Sequence, residues 1–157
     1  DDDDPGGDDD DSGDGDDTDD DDDTGDDDDS AGSHDLTIAG VYVDGNGTTH
    51  TIQGTNDPPP VDGLWTQEDT GGDTRIYHIT IEVPASEWMG GWNDPANAQH
   101  ANLWSRFDWT WSGGDLYVCH ITESETVGIT LYSSNDADRT DPAAGGCNGA
   151  PWLNLTP

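Results

Sequence analysis

The chain has 157 residues, of which 37 are acidic and three basic, for a formal net charge of −34. That excess repels phosphate backbones and anionic lipid heads, which excludes nucleic acid and acidic membranes as partners and leaves cations, cationic surfaces and neutral polymers. Apolar runs are only a few residues long, far short of the roughly 20 that a membrane-spanning helix needs.

Residues 1–33 form a low-complexity arm, with 20 aspartates and no basic residue in the first 30 positions. No apolar side chain precedes Ala31, so the arm cannot bury a core of its own. Neighbouring carboxylates about 6 Å apart repel by roughly 0.7 kcal/mol per pair in water. Ordering the backbone costs about 1–2 kcal/mol more per residue. Calcium offsets both terms, because it accepts about six to eight oxygens in a flexible shell. The expected calcium ligands are Asp8, Asp9, Asp10, Asp11, Asp16, Asp17, Asp19, Asp20, Asp21, Asp22, Asp23, Asp26, Asp27, Asp28 and Asp29. The plainer alternative is a solvated linker that holds the following domain away from a surface. Ser12, Thr18, Thr24 and Ser30 punctuate the acidic blocks and are candidate O-glycosylation sites.

From His34 to Pro157 the pattern changes to short alternating runs between Gly, Asn, Asp and Pro, which predicts an all-β domain. "DLTIAGVYV" (35–43), the turn "DGNG" and "TTHTIQ" (48–53) read as a hairpin. "TRIYHITIEV" (74–83) puts Tyr77, Ile79, Ile81 and Val83 on one face. Residues 86–102 read as a long loop carrying Trp88 and Trp92. "LWSRFDWTW" (103–111) sets Leu103, Phe107, Trp109 and Trp111 on a core face, with Arg106 and Asp108 as an ion pair on the other. A Gly-Gly turn leads to "LYVCHIT" (116–122), where Tyr117, Cys119 and Ile121 share a side read as inward. "VGITLY" (127–132) and "PWLNL" (151–155) complete about seven strands. The expected fold is a β-sandwich, jelly-roll or immunoglobulin-like, of about seven or more strands.

Cys119 and Cys147 are the only cysteines. An even count in a small, lysine-free domain favours a disulfide in an oxidising compartment over two buried thiols. A start at Asp1 reads as the product of a removed secretion signal. The expected location is extracellular or at the cell surface.

The segments "LWSRFDWTWSGGDLYVCHIT" and "ADRTDPAAGGCNGAPWLNLTP" carry a resemblance. The pattern Trp104, Arg106, Phe107, Asp108, Trp109, Thr110, Trp111, Tyr117, Cys119, Cys147, Pro151, Trp152 and Leu155 resembles a group of secreted or lipoprotein-type proteins of myxobacteria and related Gram-negative bacteria. The resemblance implies a secreted or surface location and paired cysteines, and points to no activity.

Five histidines never occur at the spacings of a zinc site, and no nucleophile elbow, phosphate loop or dinucleotide fingerprint is present. The sequence therefore predicts no enzyme. Of the seven tryptophans, Trp88, Trp92 and Trp104 are candidate contacts for sugars or a neighbouring subunit. The expected function is that of a non-enzymatic structural protein, a filament or surface-layer homo-oligomer whose arm binds calcium. The competing expectation is a surface-anchored carbohydrate-binding module with the acidic tract as a spacer.

Overall fold

The computed structural model describes residues 35–55 and 61–157. The acidic arm, with its expected calcium ligands and glycosylation positions, lies outside the described residues.

The strands β1 (Gly40–Asp44), β2 (Thr49–Gly54), β3 (Gly63–Glu68), β4 (Thr74–Val83), β5 (Trp88–Asn93), β6 (Trp104–Ser112), β7 (Asp115–Glu125) and β8 (Leu153–Thr156) follow one another around a ring. Each pairs antiparallel with its neighbours in sequence, and β8 returns to β1 to close a barrel. The closing register sets Leu155 opposite both Leu116 and Asp44. The expected sandwich is thus corrected to an eight-stranded, up-and-down barrel. Alternation marks which side chains face a core, and it reads the same whether two sheets meet face to face or one sheet curls onto itself. The β8-to-β1 pairing decides between them.

Three local expectations also change. The segment taken as a long loop contains β5, whose "WMGGWN" lacks clear alternation because two of its positions are glycine. Gly91 is required there: a Cβ would sit 2.1 Å from the His78 carbonyl oxygen. The short, polar β3 carried too few apolar residues to register as a strand. The predicted strand at 127–132 is a 3₁₀ helix, Gly128–Ser133, on the outside of the barrel. Its apolar residues alternate, yet Val127 and Ile129 are exposed and Leu131 alone is buried.

Inside the barrel, rings contributed by β3, β4 and β6 meet at mid-height. Trp65 and Phe107 lie 4.4 Å apart between centroids, and Tyr77 approaches Phe107 edge-on at 4.9 Å. Ile52, Ile79, Met89, Trp109, Leu116, Val118 and Leu155 fill the space around them. Leu36 and Ile38, just before β1, close one end of this core, with Leu36 against Gly63. Thr49, Thr51, Gln53, Thr66 and His78 face outward from β2, β3 and β4, beside the exposed Val41 and Val43 of β1. No helix among the described residues is long and apolar enough to cross a membrane.

A second layer covers the outside of β5–β7. Arg106 and Asp108 point outward from β6, as expected of an ion pair, and both are buried by residues 131–139. The Arg106 Nε donates to Asp108 Oδ1 at 2.8 Å, and its Nη1 donates to the Leu131 and Ser134 carbonyls, each at 2.9 Å. Arg106 Nη2 pairs with Asp136. Asp108 Oδ2 accepts from the Ala137 amide at 2.8 Å and from Arg139 Nη2 at 3.3 Å. Cys119 and Cys147 form a disulfide, with Cα atoms 5.4 Å apart. The face assigned to Cys119 needs correction, because Leu116 and Val118 take the interior and Cys119 packs outward with Tyr117, Ile121, Ala137 and Trp152.

Trp88 belongs to this outer layer too. It is 5% exposed, lies under the Arg106 guanidinium at 4.6 Å and meets Tyr132 edge-on. Trp111, expected in the core, sits at the β6–β7 turn and is 46% exposed. Trp88→Ala and Trp109→Ala are each expected to cost about 3–5 kcal/mol in denaturant unfolding, and Trp111→Ala under about 1 kcal/mol. A small effect at Trp88 would contradict the packing of the outer layer.

Candidate functional site

At the end opposite Leu36 the barrel is open. Three connections rim it: β1–β2, β3–β4 and β5–β6. Each starts with an aspartate that folds its own turn. Asp44 Oδ1 accepts from the Asn46 and Thr48 amides, Asp69 Oδ1 from those of Gly71 and Asp73, and Asp94 Oδ1 from that of Ala96. Such aspartate turns hold short loops in one conformation without an apolar core. The "DGNG" stretch is one of these turns.

The rim encloses a cavity of about 720 Å³, in the size range of small-ligand sites. Asp44, Asn46, Thr48, Gln67, Thr74, Arg75 and Gln99 supply its polar groups, and His50, His120 and Leu153 lie deeper. Gln67, His120 and Leu153 also line a smaller cavity of about 180 Å³ that reaches Trp65 and Phe107. The mouth is therefore polar at the rim and aromatic at the floor.

His50 points inward from β2 and is almost fully enclosed. The Trp65 indole N–H donates to its Nδ1 at 3.2 Å. An indole can only donate, so Nδ1 carries the lone pair and Nε2 the proton, 3.4 Å from Asp44 Oδ2. Burial holds the His50 pKa below the ordinary value, against the opposing pull of Asp44. Burial pushes Asp44 upward, and the Thr48 and Asn46 amides and His50 outweigh it, leaving the carboxyl below its usual range. The Asp44–His50 pair has the layout of an oriented general base, but both ring nitrogens are engaged within the fold, Nδ1 by Trp65 and Nε2 by Asp44.

His120 is different. Its ring stacks on Phe107 at 4.2 Å and meets Tyr77 edge-on at 5.8 Å. Nε2 is buried without a hydrogen-bond partner, and Nδ1 stands 3.7 Å from Glu123. Burial, helped by the charges of Arg75 and His100, lowers its pKa to about 3. His120 is thus a neutral imidazole at physiological pH, and too weak a base for proton abstraction there.

Arg75 shares the parity of Tyr77 on β4 and stands exposed at the cavity rim, where its charge acts on the Tyr77 hydroxyl. Arg106 and Arg139 are held by carboxylates. Arg75 makes no ion pair among the described residues. No group of three His, Cys, Asp or Glu side chains among them could hold a metal ion.

The candidate surface tryptophans separate. Trp88 is packed as above. Trp92 and Trp104 face each other across β5 and β6 on the outer wall, and Trp92 stacks on His78 at 3.9 Å. Sequence reasoning missed Arg75, Gln67, His50 and His120. The inward parity of His120 follows once Val118, rather than Cys119, faces the core. Comparison of the chain with family models, curated proteins and solved structures finds no match.

The low pKa of His120 fixes a sign. The unfolded chain takes up a proton near pH 6.5 that the folded imidazole refuses down to about 3. Stability is therefore complete above pH 6.5 and falls as pH drops through this window, by up to about 1.4 kcal/mol per unit for one proton. Between pH 6.5 and 4.5 the low-pKa carboxyls Asp44 and Asp94 remain ionised and add little. Unfolding measured across that range should lose stability in the native protein and lose distinctly less in His120→Phe, with His50 supplying the remainder.

Proposed function

We propose that the protein is a non-enzymatic extracellular binding module that takes a carbohydrate in the barrel mouth, with the acidic arm as a calcium-binding spacer. The cavity carries this reading. Its rim offers short amide, hydroxyl, carboxylate and guanidinium groups, and its floor offers aromatic faces, the combination that holds the hydroxyls and the C–H faces of a sugar together. Aspartate turns preset the rim, so little ordering entropy is lost on binding. The engaged state of His50 and the weak basicity of His120 favour binding over turnover.

The filament reading needs somewhere for an arm to attach. Strand addition requires a free sheet edge, and the barrel turns its strand edges toward each other. That consideration favours the module over the filament.

An array of neutral and acidic oligosaccharides, followed by calorimetry on the strongest ligand, tests the proposal. Ala98→Trp, at an exposed rim position that lines the cavity, is expected to weaken binding at least about tenfold and leave the melting temperature unchanged. Absence of binding across the array, or binding indifferent to Ala98→Trp, would overturn it.

A further inference from the structure

Resting on the carbohydrate reading, we infer that the ligand is an acidic sugar whose carboxylate is read by Arg75. Arginine is scarce in this chain, with three residues against 37 acids. An arginine surrounded by so many carboxylates is expected to be paired. Arg106 and Arg139 follow that expectation and fasten the outer layer. Arg75 does not: it shares the parity of Tyr77 on β4, stands exposed at the cavity rim and forms no ion pair among the described residues. Of the three carboxylates that line the same cavity, Asp44 and Asp69 are turned into their own loops by backbone amides, and Asp73 stays at the rim beside Arg75.

Arg75 thus stands at the rim of an open cavity with its guanidinium fork in no ion pair among the described residues. A planar fork of this kind matches a carboxylate with two parallel hydrogen bonds, and the match is stronger than any to a sugar hydroxyl. Below it, Gln67 and the unpartnered His120 nitrogen offer neutral partners for ring hydroxyls, and Phe107 and Trp65 an apolar floor. A buried imidazole nitrogen without a partner costs stability, and a ligand hydroxyl would supply what is missing. The chemistry selected is one carboxylate next to several hydroxyls, as on a uronic acid. The domain's overall negative charge opposes any anion, with the distant part screened beyond about 8 Å at physiological salt. The rim carboxylates Asp44, Asp69 and Asp73 set the local part that the Arg75 contact must outweigh.

The test is calorimetric titration of the full chain with three matched ligands: a uronic-acid oligosaccharide, its methyl ester and the neutral parent sugar. The free acid is expected to bind at least about tenfold more tightly than the ester. Arg75→Gln should erase that preference, weakening the free acid more than the ester or the neutral parent, and Arg75→Lys should restore part of it. Equal binding of acid and ester, or a preference that survives Arg75→Gln, overturns this inference and leaves the carbohydrate reading standing. Failure of all three ligands to bind overturns both.

Discussion

Arg106 and Asp108 carry their charges on the outer wall of the barrel with almost no access to water. Such a pair is costly to bury, and it holds only where nearly every donor and acceptor is satisfied. Here the partners come from the chain between β7 and β8: the Leu131 and Ser134 carbonyls, Asp136, the Ala137 amide and Arg139. Meeting that requirement fixes the connector against the wall. The connector in turn delivers β8, a strand of four residues that pairs with β1 at only two positions. So short a strand has little pairing energy of its own to find its slot. The disulfide from Cys119 to Cys147 anchors the same connector near its far end. Closure of the barrel therefore depends on a buried charge cluster outside it.

Closure also makes the mouth. Because β1, β3 and β5 each run toward the same end, the turns that follow them gather there, and each is folded by the aspartate at its start. The acidic character of the chain thus has two separate uses. In the domain, single aspartates shape turns and satisfy histidine or arginine.

Much of this was legible in the residues, and the parts that were not share a cause. The alternation of "LWSRFDWTW" and of the first half of "TRIYHITIEV" gave the strands their faces, and Arg106 with Asp108 stood out as a pair. Ile81 and Val83, expected on the face of Tyr77 and Ile79, are turned to the outer wall by a β-bulge after Ile79, where they pair with Gly90 and Trp88. The disulfide followed from count and context. Alternation has no information about which strand lies beside the last one, so sandwich and barrel could not be separated. Cys119 was misplaced because a buried residue was equated with an inward one. In a barrel with a covered outer wall, both parities of a strand are buried, as β6 demonstrates from Ser105 to Thr110. The cavity was invisible for the same reason: Gln67, Arg75 and His120 are distant in sequence and meet only when the ring is closed.

The central claim is that the barrel mouth, rather than the tryptophans of the outer wall, receives the ligand. The indole N–H of Trp65 reports on the mouth, since it hydrogen-bonds His50 beneath the rim. Those of Trp92 and Trp104 report on the outer wall. Titration of an isotope-labelled chain with a bound oligosaccharide, followed through the indole resonances, separates the two surfaces directly. Binding in the mouth shifts the Trp65 resonance and leaves Trp92 and Trp104 in place. A shift at Trp92 or Trp104 with Trp65 unmoved would contradict it.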